Sequence, residues 1–365
     1  MRAVQTSAVA CVALTLLPTL SRASTEPLRE PLQEKVLLQH APAPKTRFFK
    51  RLELRHALIV KESKTLGREI DATNLDQLEV ETRLLIHHFD DYVDPAKGVF
   101  RRRYDDIRLD AQAALPTPTG PQSDSLFADS PLNGKSVVFT KMENGEYGRY
   151  YDVEEGPEEL LPRLAIDTSM ACLLPDHPVA PGDEWEIEPA ALRDMLGYAG
   201  DLELIFTRDM NDILLARNML FGVGGSLWYA FASPPTGVVK AKLEEISDRQ
   251  GRPMGIIALN VDITCDVDQT ELANKNRNAI EITGGFRCES ATLQVKLNGN
   301  GKLFWDLDNN LPFKMNIVMA EEVVTSHKWG ERETDTPMMF PAAPSQRVEL
   351  IGVVRLDLST TIQSE

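Results

Sequence analysis

Hydrophobic and polar residues alternate with a period of two along much of the chain, as expected for β-strands that bury one face. The clearest case is 78–86, where apolar side chains at even positions alternate with charged neighbours. The same pattern recurs on both sides of a less regular middle region. It predicts strands at 52–60, 78–86, 100–109, 136–142, 147–153, 238–246, 254–265, 286–297, 303–307, 313–324 and 347–362.

Short polar turns join several of these strands into hairpins. Asn144-Gly145 lies between two alternating runs, which is a strong hairpin signal. Gly251 and the run 308–310 occupy equivalent places between later strands. Hairpins of this kind predict an antiparallel sheet.

Two further polar stretches are predicted to lie outside the strands. Asn298-Gly299-Asn300-Gly301 is typical of a tight turn, and 114–133, rich in Pro, Ser, Asp and Gly, is typical of a long surface loop.

The middle of the chain carries the helical signals. Residues 201–232 are the most helical part, and Pro189 is suited to start a short helix over 190–196 that ends at Gly197. Helices are therefore expected between the two strand-rich parts.

The first residues have the composition of a secretory signal peptide. Arg2 precedes an apolar run over 8–17, and Ser21-Arg22-Ala23 forms a cleavage site after Ala23. The predicted product is a periplasmic or extracellular protein with no membrane span. Residues 24–45 are expected to form an extended arm, and 46–365 a single large β-rich domain or two lobes that meet near 166–197.

The charge balance limits the choice of partners. The chain has 39 basic and 55 acidic side chains, a formal net charge of −16. An acidic surface repels phosphate backbones, which argues against nucleic-acid binding. An apolar ligand, a lipid or another envelope protein remains open as a partner.

Three cysteines follow the predicted cleavage site: Cys172, Cys265 and Cys288. In an oxidising compartment Cys265 and Cys288 are the better pair for a disulfide, with Cys172 as a buried thiol. Three reduced core cysteines are the alternative.

No catalytic, cofactor or metal site emerges from the residue pattern. His87 and His88 are adjacent on a predicted strand and so point to opposite faces, which prevents joint metal binding. The acids from Asp90 to Asp106 could serve a hydrolase if two of them converge. An apolar ligand could instead be lined by Leu227, Trp228 and Phe231.

A dense group of signals lies between the two strand-rich parts. Pro181-Gly182 suits the centre of a type II turn, in which glycine adopts positive φ. Trp185 follows it and is expected to be a core residue that fixes the turn; the alternative is a ligand-lining role.

This stretch resembles a broad family of uncharacterised exported bacterial proteins with a Leu-Pro…Val…Gly-Asp-x-Trp motif. The matching positions are Leu174, Pro175, Val179, Gly182, Asp183 and Trp185, and Gly301 to Asp306 is similar to a later segment of the family. Similar long-stranded exported proteins form half-open β-barrels around helices, and some of them carry lipid or lipoprotein, so by analogy of fold the resemblance implies such a barrel here. It brings no catalytic residues.

The predicted fold is therefore α+β: long antiparallel strands in a half-open barrel or strongly curved sheet, with the helices of 189–231 on its concave face. The predicted function is a non-catalytic binding or envelope-associated protein, with an apolar ligand or lipid. A secreted hydrolase that uses acidic residues and a structural protein-interaction module are the alternatives.

Overall fold

A computed structural model gives the fold. It describes residues 35–66, 78–115, 120, 122–153, 155–165, 170–196, 202–206, 233–249, 251–276, 286–332 and 345–363. Lys35–Glu365 form one compact unit. The predicted signal peptide lies outside the described residues and stays a prediction.

Strands dominate the described residues, and the longest have more than twenty residues. In chain order they are β1 Thr46–Leu66, β2 Glu79–Asp94, β3 Val99–Leu115, β4 Gln122–Asp129, β5 Ser136–Lys141, β6 Tyr147–Tyr151, β7 Glu184–Ile187, β8 Ile205–Phe206, β9 Thr236–Asp248, β10 Pro253–Asp268, β11 Phe286–Asp306, β12 Leu311–Arg332 and β13 Ser345–Gln363.

Helices contribute little. The two described α-helices are short, α1 at Ala191–Leu196 and α2 at Thr270–Asn276, and 3₁₀ turns occupy Pro95–Lys97, Glu158–Arg163 and Ala171–Leu173. The prediction of an α+β fold with helices on a concave face is therefore wrong. The described residues are mostly long antiparallel strands, whose backbone groups pair with one another. Residues 207–232, where helices were also predicted, lie outside the described ranges.

One antiparallel sheet contains all thirteen strands. Its main path runs β6-β5-β3-β2-β1-β13-β12-β11-β10-β9-β7, while β4 pairs with β3 and β8. The path ends at β6 and β7, so it does not close among the described strands. The first and last long strands pair along most of their length, from Arg47–Gln363 to Leu66–Ser345. The two strand-rich parts of the sequence thus share one sheet.

The register places alternate residues on a buried face, called here the inner face. Leu52 of β1 lies between Ile86 of β2 and Leu358 of β13, and all three are buried. The other face, the outer face, carries most of the charged side chains. His87 and His88 lie on opposite faces as predicted: His88 is buried, whereas His87 is only partly covered.

The predicted turn at 298–301 is wrong, because these residues lie within β11. Gly299 and Gly301 occupy inner-face positions opposite Met319 and Ile317 of β12. A Cβ on Gly301 would lie 2.4 Å from the carbonyl oxygen of Asn316 and 2.7 Å from the Cα of Ile317. The glycines therefore allow a close approach between strands, a known use of glycine inside a sheet.

The predicted loop at 114–133 is also partly wrong. β4 occupies 122–129 and pairs with β3. Asn133 then completes β3 beyond the end of β4: its Oδ1 accepts the Ile107 N–H at 2.7 Å, and its Nδ2 donates to the Ile107 carbonyl at 3.1 Å. A polar side chain thus replaces a strand partner at this point.

We predict that Gly301→Ala lowers the free energy of unfolding by about 1–3 kcal/mol, because the methyl group overpacks the neighbouring backbone. Gly148→Ala is the matched control, since its nearest contacts to an added Cβ are 3.8 Å away. Urea denaturation measures both. Equal stability of the two variants would show that the close approach at Gly301 imposes no constraint.

Candidate functional site

The densest group of buried ionisable side chains lies on the inner face of β1, β2 and β3. We call it the inner-face cluster. Its members, all at most 1% exposed, are Lys50, His88, Asp90, Arg102 and Tyr104. The register brings them together: Lys50 pairs with His88, His88 with Tyr104, and Asp90 with Arg102.

Asp90 is the centre of the cluster. Its Oδ2 accepts a hydrogen bond from Lys50 Nζ at 2.8 Å, and its Oδ1 accepts one from Arg102 Nε at 2.7 Å. His88 Nε2 lies 3.5 Å from the same Oδ2. A single carboxylate therefore neutralises part of a concentrated buried positive charge.

Aromatic rings and a backbone carbonyl lie around the Arg102 guanidinium. The Arg102 guanidinium lies 5.4 Å from the ring centroid of Phe100 and 5.2 Å from that of Phe139. Its Nη1 donates to the Ala165 carbonyl at 2.8 Å, which ties the segment after the Glu158–Arg163 turn to the sheet. Cation–π contacts of this kind help a desolvated guanidinium.

Burial by itself would raise the pKa of Asp90, but Arg102 and Lys50 outweigh it and hold that pKa well below its ordinary 3.8. Burial lowers the pKa of His88 from 6.5 to about 4, against the attraction of Asp90. At neutral pH the cluster therefore holds an ionised Asp90 and a neutral His88.

This arrangement is unsuited to acid–base catalysis. A general acid or base needs a pKa near the working pH and contact with a substrate proton. Asp90 is far too acidic and is fully buried, as is His88. We therefore interpret the inner-face cluster as a structural ion network.

The remaining acids of the hydrolase hypothesis do not join Asp90. Asp91 faces outward, where its Oδ2 accepts a hydrogen bond from Arg47 Nη2 at 2.9 Å. Asp94 accepts the Lys97 backbone N–H at the start of a 3₁₀ turn. The Oδ2 of Asp106 lies 3.6 Å from Nδ1 of His87. Asp90 faces inward, so it shares no cleft with the outward Asp91 and Asp106. Asp106 lies opposite His87, four residues of strand or about 13 Å from Asp91.

A second buried pair, His56 and Glu321, was not identified from the sequence. Their side chains are in hydrogen-bond contact although β1 and β12 are separated by β13. Gly352 of β13 lies in the row of Glu321, opposite Leu58 of β1, and has no side chain to block the contact. The glycine thus leaves space for a hydrogen bond between side chains of two strands that are not neighbours.

The turn before Trp185 agrees with its prediction. Gly182 has a φ of 99°, and Asp183 N–H donates to the Ala180 carbonyl at 3.0 Å, as in a type II turn. Trp185 is buried, and its Nε1 donates to the Leu173 carbonyl at 3.0 Å. The end of the predicted arm also joins the fold, because Val36 pairs with Val179.

The predicted disulfide is not formed. Cys265 and Cys288 are both free thiols. Cys265 lies opposite Val295 of β11, seven residues from Cys288 on the same strand. Seven residues of strand span about 23 Å, far more than the roughly 7 Å limit between bridged Cα atoms.

The predicted ligand-lining residues Leu227, Trp228 and Phe231 lie outside the described residues. Within the described ranges, no group of three or more His, Cys, Asp or Glu side chains is placed to hold a metal ion. No helix in the same ranges is long and apolar enough to cross a lipid bilayer.

The described residues define a predominantly antiparallel β-sheet protein. No family model matches the sequence, and no curated protein is significantly similar to it. An outer membrane channel from Pseudomonas putida F1 aligns over 87% of this chain and 97% of its own, with 5% identity and a TM-score of 0.17. A TM-score this low carries no weight for fold or function. Membership of the exported bacterial family stays a prediction.

We predict that Asp90→Asn lowers the free energy of unfolding by roughly 3–5 kcal/mol, because it leaves two buried cations without their carboxylate. Asp91→Asn is the control, since the exposed pair with Arg47 should contribute at most about 1 kcal/mol. Chemical denaturation at neutral pH compares the two. Similar losses would mean that Asp90 does not hold the cluster together.

The lowered pKa of His88 predicts a stability loss in acid. Between pH 6.5 and about 4 the unfolded chain binds a proton that folded His88 does not, so the free energy of unfolding falls as the pH falls. His88→Gln should remove this part of the slope and leave the part due to His87 and His327, whose pKa values burial also lowers. Denaturation curves between pH 7 and 4 test this. The prediction is contradicted if the free energy of unfolding falls equally steeply with pH in the wild type and in His88→Gln.

Proposed function

We propose that this chain is a non-catalytic exported protein of the cell envelope that binds a ligand with an apolar part. The main support is an exposed apolar surface on the central strands. Ile59, Ile351 and Val353 point outward and are 44–46% exposed. Ile59 lies opposite Ile351, and Val353 lies opposite Ala57. We call these four residues the outer apolar patch.

The inner face supports the same proposal by contrast. Its apolar side chains are packed from β9 through β13 and β1 to β3, with the largest almost fully buried. The apolar side chains that can meet a partner in this part of the protein are therefore on the outer face. Exposed apolar residues that form a contiguous patch, unlike single ones, mark candidate interaction sites.

The proposal of export rests on the signal-peptide pattern at 1–23. The positions of the acidic side chains argue against the hydrolase alternative. A carboxylate-dependent hydrolase requires two acids in one cleft, and those between Asp90 and Asp106 are divided between the two faces of the sheet. A structural module without a ligand is the remaining alternative.

Native mass spectrometry of the protein purified from the envelope of its own cells tests the proposal. We expect a bound species that organic extraction removes and identifies as lipid-like. An exported protein of similar size from the same preparation controls for carry-over. An unliganded mass, with the chain recovered from the cytoplasm, would overturn the proposal.

A further inference from the structure

Three arginines converge on one carboxylate on the outer face. Arg55 Nε and Arg83 Nε donate to the same Oε1 of Glu53 at 2.6 and 2.7 Å, and Arg51 Nη2 donates to Oε2 at 2.9 Å. The Glu53 side chain is 8% exposed. Burial by itself would raise the pKa of Glu53, but Arg83 and Arg55 outweigh burial and lower that pKa to about 2. The carboxylate is therefore ionised at neutral pH.

The group carries excess positive charge. Three guanidinium ions and one carboxylate leave two uncompensated charges in a protein whose net charge is −16. Asp110 lies near Arg83 and reduces the excess. Arg355 of β13 is balanced by Asp357, whose Oδ2 lies 3.8 Å from its Nε, so four arginines face three carboxylates and one positive charge is in excess. The local charge is therefore opposite in sign to that of the whole chain.

Three of these arginines form a row across the sheet. Arg83 of β2 lies opposite Arg55 of β1, which lies opposite Arg355 of β13. Like charges in such positions destabilise a sheet. An anion bound across the row would relieve that repulsion.

The arginines retain donors for such an anion. Each guanidinium has five N–H groups, and in the described part of the chain Arg55 and Arg83 use only Nε to bind Glu53. Their side chains are 48% and 33% exposed. Glu53 fixes the two guanidinium groups and leaves their Nη atoms for a ligand, a geometry that suits phosphate.

The outer apolar patch begins at the next outward position of the same strands. Ala57 and Val353 follow the arginine row by two residues, and Ile59 and Ile351 by four. Four residues of strand span about 13 Å. The surface thus offers a cationic end and an apolar track of that length.

Acidic side chains border the far end of the track. Glu79 lies opposite Ile59, and Glu322 lies opposite Ile351. Glu81 lies beside Ala57, at the near end. Glu79 and Glu322 repel an anionic group placed at the far end. The charge pattern therefore favours one orientation of an anionic amphiphile, with its head at the arginines.

We propose that this surface binds an anionic amphiphile: a phosphate monoester head on Arg55, Arg83 and Arg355, and an alkyl chain on the outer apolar patch. This inference rests on the proposed function and names the ligand class and the place of binding.

Isothermal titration calorimetry with monomeric decyl phosphate, at low ionic strength, tests the inference on the full chain. We expect decyl phosphate to bind at least about tenfold more tightly than inorganic phosphate, because its alkyl group buries apolar surface on the protein. Ile351→Ser should remove most of that difference and leave the affinity for inorganic phosphate unchanged.

Arginine variants test the head-group site. Arg355→Gln leaves the Glu53 contacts intact and should weaken decyl phosphate binding several-fold, and Arg83→Gln with Arg355→Gln should weaken it further. Arg47→Gln is the control, because Arg47 is paired with Asp91 elsewhere on the outer face. Circular dichroism establishes that each variant is folded.

The inference is overturned if inorganic phosphate binds as tightly as decyl phosphate, if neither binds, or if Arg47→Gln weakens binding as much as Arg355→Gln. If lipid still accompanies the native protein in these cases, the proposed function stands and only the binding surface is wrong. If the native protein carries no lipid, the proposed function fails as well.

Discussion

The structure depends on the register of one continuous antiparallel sheet. Side chains on a strand alternate between its faces, so a shift of one residue would exchange buried and exposed positions along a whole strand. β1 illustrates the consequence, because Leu52 is buried between two neighbours while Arg51 faces outward and is exposed. The pairing of β1 with β13 extends this division across residues far apart in sequence.

Burial of one face forces the charged residues on it into close groups. Lys50, Asp90 and Arg102 occupy inner-face positions where an isolated charge would be very costly. They are tolerated because adjacent strands bring the opposite charges within hydrogen-bond distance. His56 and Glu321 are also buried polar side chains, and they contact each other in the space beside Gly352. The inner face therefore has polar groups without offering a reactive site.

The outer face has the opposite character, since its charges are partly hydrated and need not balance locally. Several cations can share Glu53 there, beside apolar residues that remain exposed. The sequence could have located these groups only in part. One signal is a polar residue at a position where the alternation predicts a buried apolar one, and this applies to Lys50, His56 and Arg102. Their partners could not be named, because those lie on other strands.

Local turn chemistry and a period of two can be recognised in the sequence. They were enough to predict most long strands, the hairpins near Asn144 and Gly251, the turn at Gly182 and the opposite orientation of His87 and His88. The remaining features follow from the tertiary structure. It placed Gly301 inside a strand, where the approach of β12 requires a residue without a side chain. It separated Cys265 from Cys288 and gathered charges from distant strands, because partner and register are set by packing across the sheet and not by neighbours in the chain.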